Sequence, residues 1–382
     1  MLLTYKDPKF GVLNALRDTD MPMEGIAFSQ GMYFKENEWQ KIPGLVERNT
    51  TQIAADTVWA VVRWKQLTSG KEFLLAVCDG QLWKFDTATS TFNSIYAGLQ
   101  NNQQVEFLQD RNFIYFGSNV DNWRRFDGGE KTYDIGGGGE PPKQFSKIIF
   151  HPYAGRYFGI TGKDENLYWS AHLDDGGMEK WPASNIQVSE SVFGDFPIDI
   201  DVVEGKLNII HAHSINSGTV IGVPENWIFQ REKARAGTNA RRTSKRFGNS
   251  FLMFTPEGEL YRWPQDEFVS KGRVKFDVDP AFKHLAHAEI VEDRYYYLSF
   301  KSNQAVSSNK YHLWIYDVLG DRFYGPHIQF NIASMYYDPN NSVLLTGGLD
   351  DLDGYVMEHR GNDVKNTAMK CHVKSSSWNH GS

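Results

Sequence analysis

The stretch Leu74–Phe92 reads LLAVCDGQLWKFDTATSTF. An apolar run meets an Asp-Gly turn, an aromatic-rich run follows, and a Thr/Ser turn leads to another Phe. Alone this is a β-hairpin with a third strand behind it, because Asp-Gly between alternating runs is a strong hairpin signal. The cadence returns. Asn112–Asp134 reads NFIYFGSNVDNWRRFDGGEKTYD, and Phe158–Trp181 reads FGITGKDENLYWSAHLDDGGMEKW. Further echoes are Leu207–Gln230, Phe251–Trp263, Tyr295–Tyr324 and Ser342–His359. Seven echoes spaced by about forty residues fall in the range of propeller blades. Most are preceded by one more strand candidate: VWAVVRW, QVEFLQD, KIIFHPY, IDIDVV, HAEIVED or ASMYYD. Most units therefore offer four strands.

The expected fold is all-β, a β-propeller closed into a ring by an N-terminal strand. Seven blades are favoured, and the irregular unit at 199–237 leaves six open. The second strand of each unit is small and apolar, as expected of an inner strand near a crowded axis. The third carries aromatics: Trp83 and Phe85, Trp123, Tyr168 and Trp169, Trp227 and Phe229, Tyr261 and Trp263, Trp314 and Tyr316. These rings should fill the space between adjacent sheets. Residues 31–42, GMYFKENEWQKI, are expected to supply the strand that the last unit lacks. The division is an N-terminal arm (1–30), the propeller (31–361) and a C-terminal tail (362–382). Short helices are expected only near Leu13–Arg17 and Pro280–Leu285.

Composition agrees. Aromatics reach 14%, which favours pleated half-buried surfaces, and 34 Gly suit many tight turns. Only Cys78 and Cys371 occur, so reducing conditions during folding are expected. The start MLLTYKDPKF has charges where a signal peptide needs an apolar core, and no run is long enough to span a bilayer. Folding in a cytoplasm, without membrane insertion, is expected. A net charge of −7 argues against coating nucleic acid.

Three blocks carry a family resemblance. FGVLNALRDTDMPMEGIAFSQGMYFKENEWQKIPGL (10–45) pairs a Gly-x-Leu-Asn segment with a strand ending in Lys-x-Pro-Gly-Leu. GDFPIDIDVVEGKLNIIHAHSINSGTVIGVPENWIFQ (194–230) and SKRFGNSFLMFTPEGELYRW (244–263) are the others. Together they resemble the tail-hub or nozzle propellers of short-tailed double-stranded DNA phages, over roughly residues 10–360. The resemblance implies a non-enzymatic virion protein assembled in the host cytoplasm. It would be one subunit of a homo-oligomeric ring between the portal or tail adaptor and the distal tail proteins. Genomic DNA would pass without specific binding. Longer relatives continue past the point where this chain ends in KNTAMKCHVKSSSWNHGS.

The sharpest charge feature is REKARAGTNARRTSKR, residues 231–246. It holds Arg231, Lys233, Arg235, Arg241, Arg242, Lys245 and Arg246 against Glu232. It is the expected partner-binding segment, set against a plain solvated loop between blades. The lack of stacking aromatics favours an acidic protein surface over DNA. No catalytic, cofactor or metal set stands out. His211 and His213 share a strand face but lack a third ligand. Asp350, Asp351 and Asp353 read as a turn, GGGGEPP (Gly136–Pro142) as a linker between blades, and Asp199 and Asp201 as water-facing positions of a strand. The alternative function is a carbohydrate-binding or carbohydrate-cleaving propeller, which calls for carboxylates and arginines converging in a pocket.

Overall fold

The Asp-Gly turn of the opening stretch sets the local rule. In a computed structural model of the chain, Cys78 pairs with Gln81 across a two-residue loop in which Asp79 and Gly80 have φ of 50° and 63°. Two positive φ values match the right-handed twist of the flanking strands. A Cβ on Gly80 would lie 2.7 Å from the Leu99 carbonyl oxygen, so this position needs glycine twice over. The structure describes residues 11–12, 25–35, 38–136, 143–191, 193–234, 236–303, 311–361, 363–364, 367–369 and 371–375.

Repeating that hairpin builds seven antiparallel sheets. Blade 1 is Val58–Lys65, Glu72–Cys78, Gln81–Asp86 and Thr91–Ala97. Blade 2 is Glu106–Gln109, Ile114–Gly117, Arg124–Phe126 and Thr132–Asp134. Blade 3 is Lys147–His151, Arg156–Ile160, Asn166–Trp169 and Ile186–Val188. Blade 4 is Pro197–Val203, Lys206–His211, Ser214–Thr219 and Ile228–Ala234. Blade 5 is Lys245–Phe247, Ser250–Phe254, Leu260–Trp263 and Glu267–Phe268. Blade 6 is His287–Val291, Tyr295–Lys301, Tyr311–Asp317 and Arg322–His327. Blade 7 is Ile332–Asp338, Val343–Gly348 and Val356–His359, completed by Leu45–Glu47.

The core is a ring of seven apolar clusters, each shared by two neighbouring blades. One joins blades 1 and 2 through Leu75, Leu82, Ile114 and Phe116, and the next joins blades 2 and 3 through Tyr115, Trp123, Phe145 and Tyr157. The series continues around the ring to the cluster of Leu345, Val356, Val58 and Ala76, which joins blade 7 back to blade 1. Seven clusters for seven blades means a closed seven-bladed propeller.

Closure is by an N-terminal strand, as expected, but not by residues 31–42. That stretch folds on itself as a hairpin, Met32–Lys35 against Glu38–Lys41. Its aromatics bury elsewhere: Tyr33 sits edge-on to Tyr295 and Tyr324, and Trp39 edge-on to Tyr324. Closure falls instead to Leu45–Glu47, whose Val46 pairs with Glu358. Buried Asn49 fastens the joint. Its amide donates to the carbonyls of Thr51 and Gly354 and accepts from the Val356 N–H.

Two further expectations are corrected. The innermost position belongs to the first strand of each blade, not the second, and these first strands meet around the axis. The second strands lie between neighbouring blades and are the more apolar for it, as in SFLMF of blade 5, buried throughout. In blade 4 the third strand is Ser214–Thr219, so Trp227 and Phe229 belong to the fourth-strand region. Trp227 still fills the space between blades, 5.2 Å from the Trp169 ring.

Strands from the two ends of the chain extend the ring outward. Gly11–Val12 runs parallel to Arg322–His327 of blade 6, Gly25–Gln30 follows, and His372–Ser375 is outermost. Asp363–Val364 lies beside Leu45–Glu47 in blade 7. The expected helix at Leu13–Arg17 and most of the linker at Gly136–Pro142 lie outside the described residues. Lys283–Leu285 forms a single 3-10 turn.

Candidate functional site

The basic segment divides into an exposed part on the outside of the ring and a buried part at its axis. Arg231 lies on the outer strand of blade 4, exposed, beside a hollow of about 390 Å³ shared with Gln187, Val188 and Phe229. The side chains of Lys233 and Arg235 lie outside the described residues. Arg246 is exposed, its Nε donating to the Gly248 carbonyl at 3.2 Å.

Arg241, Arg242 and Lys245 turn inward. Arg242 is 6% exposed. Its Nε donates to Glu106 Oε1 at 2.8 Å, its Nη1 to the Trp59 carbonyl at 2.6 Å, and its Nη2 to the Val105 carbonyl. One side chain from the approach to blade 5 thus holds blades 1 and 2 across the axis. Arg241 Nη2 donates to the Gln104 carbonyl at 2.7 Å, and its Nε lies 3.4 Å from the same Glu106 oxygen. Lys245 Nζ pairs with Glu289 at 3.2 Å, and Lys147 Nζ with Asp199 at 3.5 Å.

This axial cluster encloses a chamber of about 120 Å³. Burial alone would raise the Glu106 carboxyl, but Arg242, Lys147 and Arg241 hold it below the usual carboxylate range. Asp199 goes the other way. Burial pushes it up to about 6, with Lys147 pulling against the shift. Burial, then the Arg242 and Lys245 charges, hold His287 well below its ordinary value. Its neutral ring accepts the Met335 N–H at 2.7 Å.

The water-facing reading of Asp199 is therefore corrected: at 1% exposed, it faces the charged axis. What hid this is the inner strand of blade 5, Lys245–Phe247, which lies inside the basic run and has no apolar signature. A lone Glu in VEFLQ at 105–109 is the one sequence signal that a buried cation awaited a partner.

The histidine pair does not share a strand face. The strand ends at His211, which is buried against Ser189 and the Asp195 carbonyl, and His213 lies beyond it near Glu257. Asp351 bonds Asn331, and Asp353 bonds Thr57. Among the described residues, no three His, Cys, Asp or Glu side chains gather as a metal site. No helix of the structure is long and apolar enough to cross a membrane.

The outer surface is uneven. Among the described residues, ten of the fourteen exposed large apolar side chains lie between Phe150 and Ile228, on blades 3 and 4 and their connections. Ile186 and Val188 project from the outer strand of blade 3, and Ile221, Val223 and Ile228 from the loop and outer strand of blade 4. Large contiguous exposed apolar patches are a common feature of interaction sites.

No protein-family model and no curated protein matches the chain. Among solved structures it is similar to the extracellular domain of the putative one component system BT4673 from B. thetaiotaomicron. Identity is 13% and the TM-score 0.48, covering 84% of this chain and 40% of that one. A second structure, described as the extracellular domain of the putative hybrid two component system BT4673, gives 12% identity and a TM-score of 0.49 at the same coverage. The chain thus spans about two fifths of the length of these structures.

Proposed function

We propose that this chain is a structural virion protein, a propeller subunit of the tail hub or nozzle ring of a short-tailed double-stranded DNA phage. Two things support the reading: the three sequence blocks that resemble such proteins, and the lateral apolar sector on blades 3 and 4. The sector is the observation that carries it. A subunit in a closed ring meets its neighbours through its sides, and head-to-tail contact needs an adhesive flank on each copy. The rigid part of the molecule is the propeller, and its loops and outer strands are what a neighbour would touch. DNA would pass through the opening of the assembled ring, because the subunit's own axis is filled by the Glu106–Arg242 cluster and a chamber of only about 120 Å³.

Negative-stain imaging of the purified chain tests this, alone and mixed with the products of its neighbouring genes. The expected result is a closed ring of several copies, docked on a portal or adaptor assembly when one is supplied. A chain that stays monomeric under both conditions would overturn the reading.

A further inference from the structure

A second opening lies at the end of the axis where the inner strands begin. It is a cavity of about 300 Å³ lined mainly by the loops that lead into the inner strands of blades 2 to 6, with Asn119 and Gly162 following second strands and Ile198 on the inner strand of blade 4. That volume is at the lower end of the range for small-ligand pockets. Its lining is unusual for a chain of net charge −7. Among the described residues it holds Arg241, His284 and the amide side chains of Asn102, Gln103, Gln104, Asn119 and Asn239, and no carboxylate.

At the floor two guanidinium groups meet one carboxylate. Arg241 and Arg242 share one carboxylate, Glu106, and Arg242 takes the closer approach at 2.8 Å against 3.4 Å. The nearby Lys147 faces Asp199, with Asp201 close by, and Lys245 pairs with Glu289, so the unshared guanidinium charge lies with Arg241 and Arg242. The Arg241 Nε is held by its ion pair with Glu106 at 3.4 Å, and the buried side-chain oxygen of Asn239 has no hydrogen-bond partner. A buried acceptor left open beside a cavity is costly unless something completes it.

We propose that this axial mouth binds a small polyhydroxylated oxyanion, its acidic group on Arg241 and a hydroxyl donating to Asn239 Oδ1. A carboxylate or a phosphate on a sugar-sized frame would satisfy the same groups. The site is independent of the lateral sector and of the ring reading.

Isothermal titration of the full chain with glucuronate, glucose 6-phosphate and glucose tests it. Saturable binding of either anion, at least tenfold tighter than glucose, is the expected result, and the stronger anion identifies the acidic group. No saturable binding of either anion, or glucose binding as tightly, overturns the proposal. Asn119→Phe narrows the mouth without touching the ion pairs and should abolish binding while the unfolding midpoint is unchanged. Arg241→Gln should weaken anion binding at least tenfold, its folding checked by circular dichroism. Anion binding that survives Asn119→Phe would also overturn the assignment.

Discussion

Glu106 is the residue on which the axis turns. Two guanidinium groups lean on its carboxylate, one of them from a side chain that also holds blade 1. Breaking a buried pair leaves uncompensated charge, which costs about 3–5 kcal/mol. Glu106→Gln should therefore lower the stability to unfolding by that order, read from the urea midpoint at neutral pH. Asp199 makes the opposite prediction. Its folded value lies near 6, above that of the unfolded chain, so the native state binds the proton first. Stability from this group is fully present below the unfolded carboxylate value and declines as pH rises through about 6. Asp199→Asn should flatten the fall in urea midpoint between about pH 4 and 6, relative to the unaltered chain. An unchanged slope would mean that Asp199 ionises as freely in the folded chain as in the unfolded one. The placement of these two residues was only half legible in the sequence. Alternation of Asp199 and Asp201 with Ile198, Ile200 and Val202 shows that a strand has two unlike faces. It does not say whether the polar face meets water or, as at an axis, other charges.

At the scale of elements, the repeated hairpin was legible because Asp-Gly turns, aromatic third strands and fully apolar second strands leave marks in one dimension. The closing strand left none. Leu45–Glu47 is three residues long and is held by what surrounds it more than by its own pattern. Asn49 is the main fastening, for it satisfies backbone groups of Thr51, Gly354 and Val356 within a buried joint. Asn49→Leu strands the buried Val356 N–H, whereas the Gly354 carbonyl keeps the Ile53 N–H and Thr51 is exposed; a buried orphan costs about 1–3 kcal/mol. The variant should lose about 1–3 kcal/mol, and limited proteolysis should cut first near residues 45–57 while blades 2 to 5 stay protected. Thr50→Ala is the control. Thr50 is exposed and its hydroxyl bond to the Ser90 carbonyl is long at 3.2 Å, so the change should stay within about 0.5 kcal/mol. Equal loss in both variants would show that closure depends on strand pairing alone. The basic run illustrates the same limit: its charge was plain, but the inner strand Lys245–Phe247 within it could be found only once the axis was known to be ionic.

At the scale of the whole molecule, the propeller separates two kinds of surface. A cluster of charges is buried at the axis, and most of the described exposed large apolar side chains lie on blades 3 and 4 and their connections. The arrangement lets each be tested without disturbing the other. Ile228 on the outer strand of blade 4 is 67% exposed, and Leu319 on a turn of blade 6 is 69% exposed. Both substitutions by lysine lie on the surface, so each should change stability by no more than about 0.5 kcal/mol. Their effects on association should differ. If copies meet through blades 3 and 4, a charge at position 228 must be desolvated at the contact, whereas one at 319 stays in water. Ile228→Lys, alone or with Ile221→Lys, should shift the sedimentation profile from the assembled species to the monomer, and Leu319→Lys should leave it unchanged. Because a contact through this sector would be apolar, sulfate should strengthen any assembly of the unaltered chain, the reverse of what a salt-bridged contact would show. Equal sedimentation of the two lysine variants would remove the lateral sector as the seat of ring contacts, whatever the state of the axis.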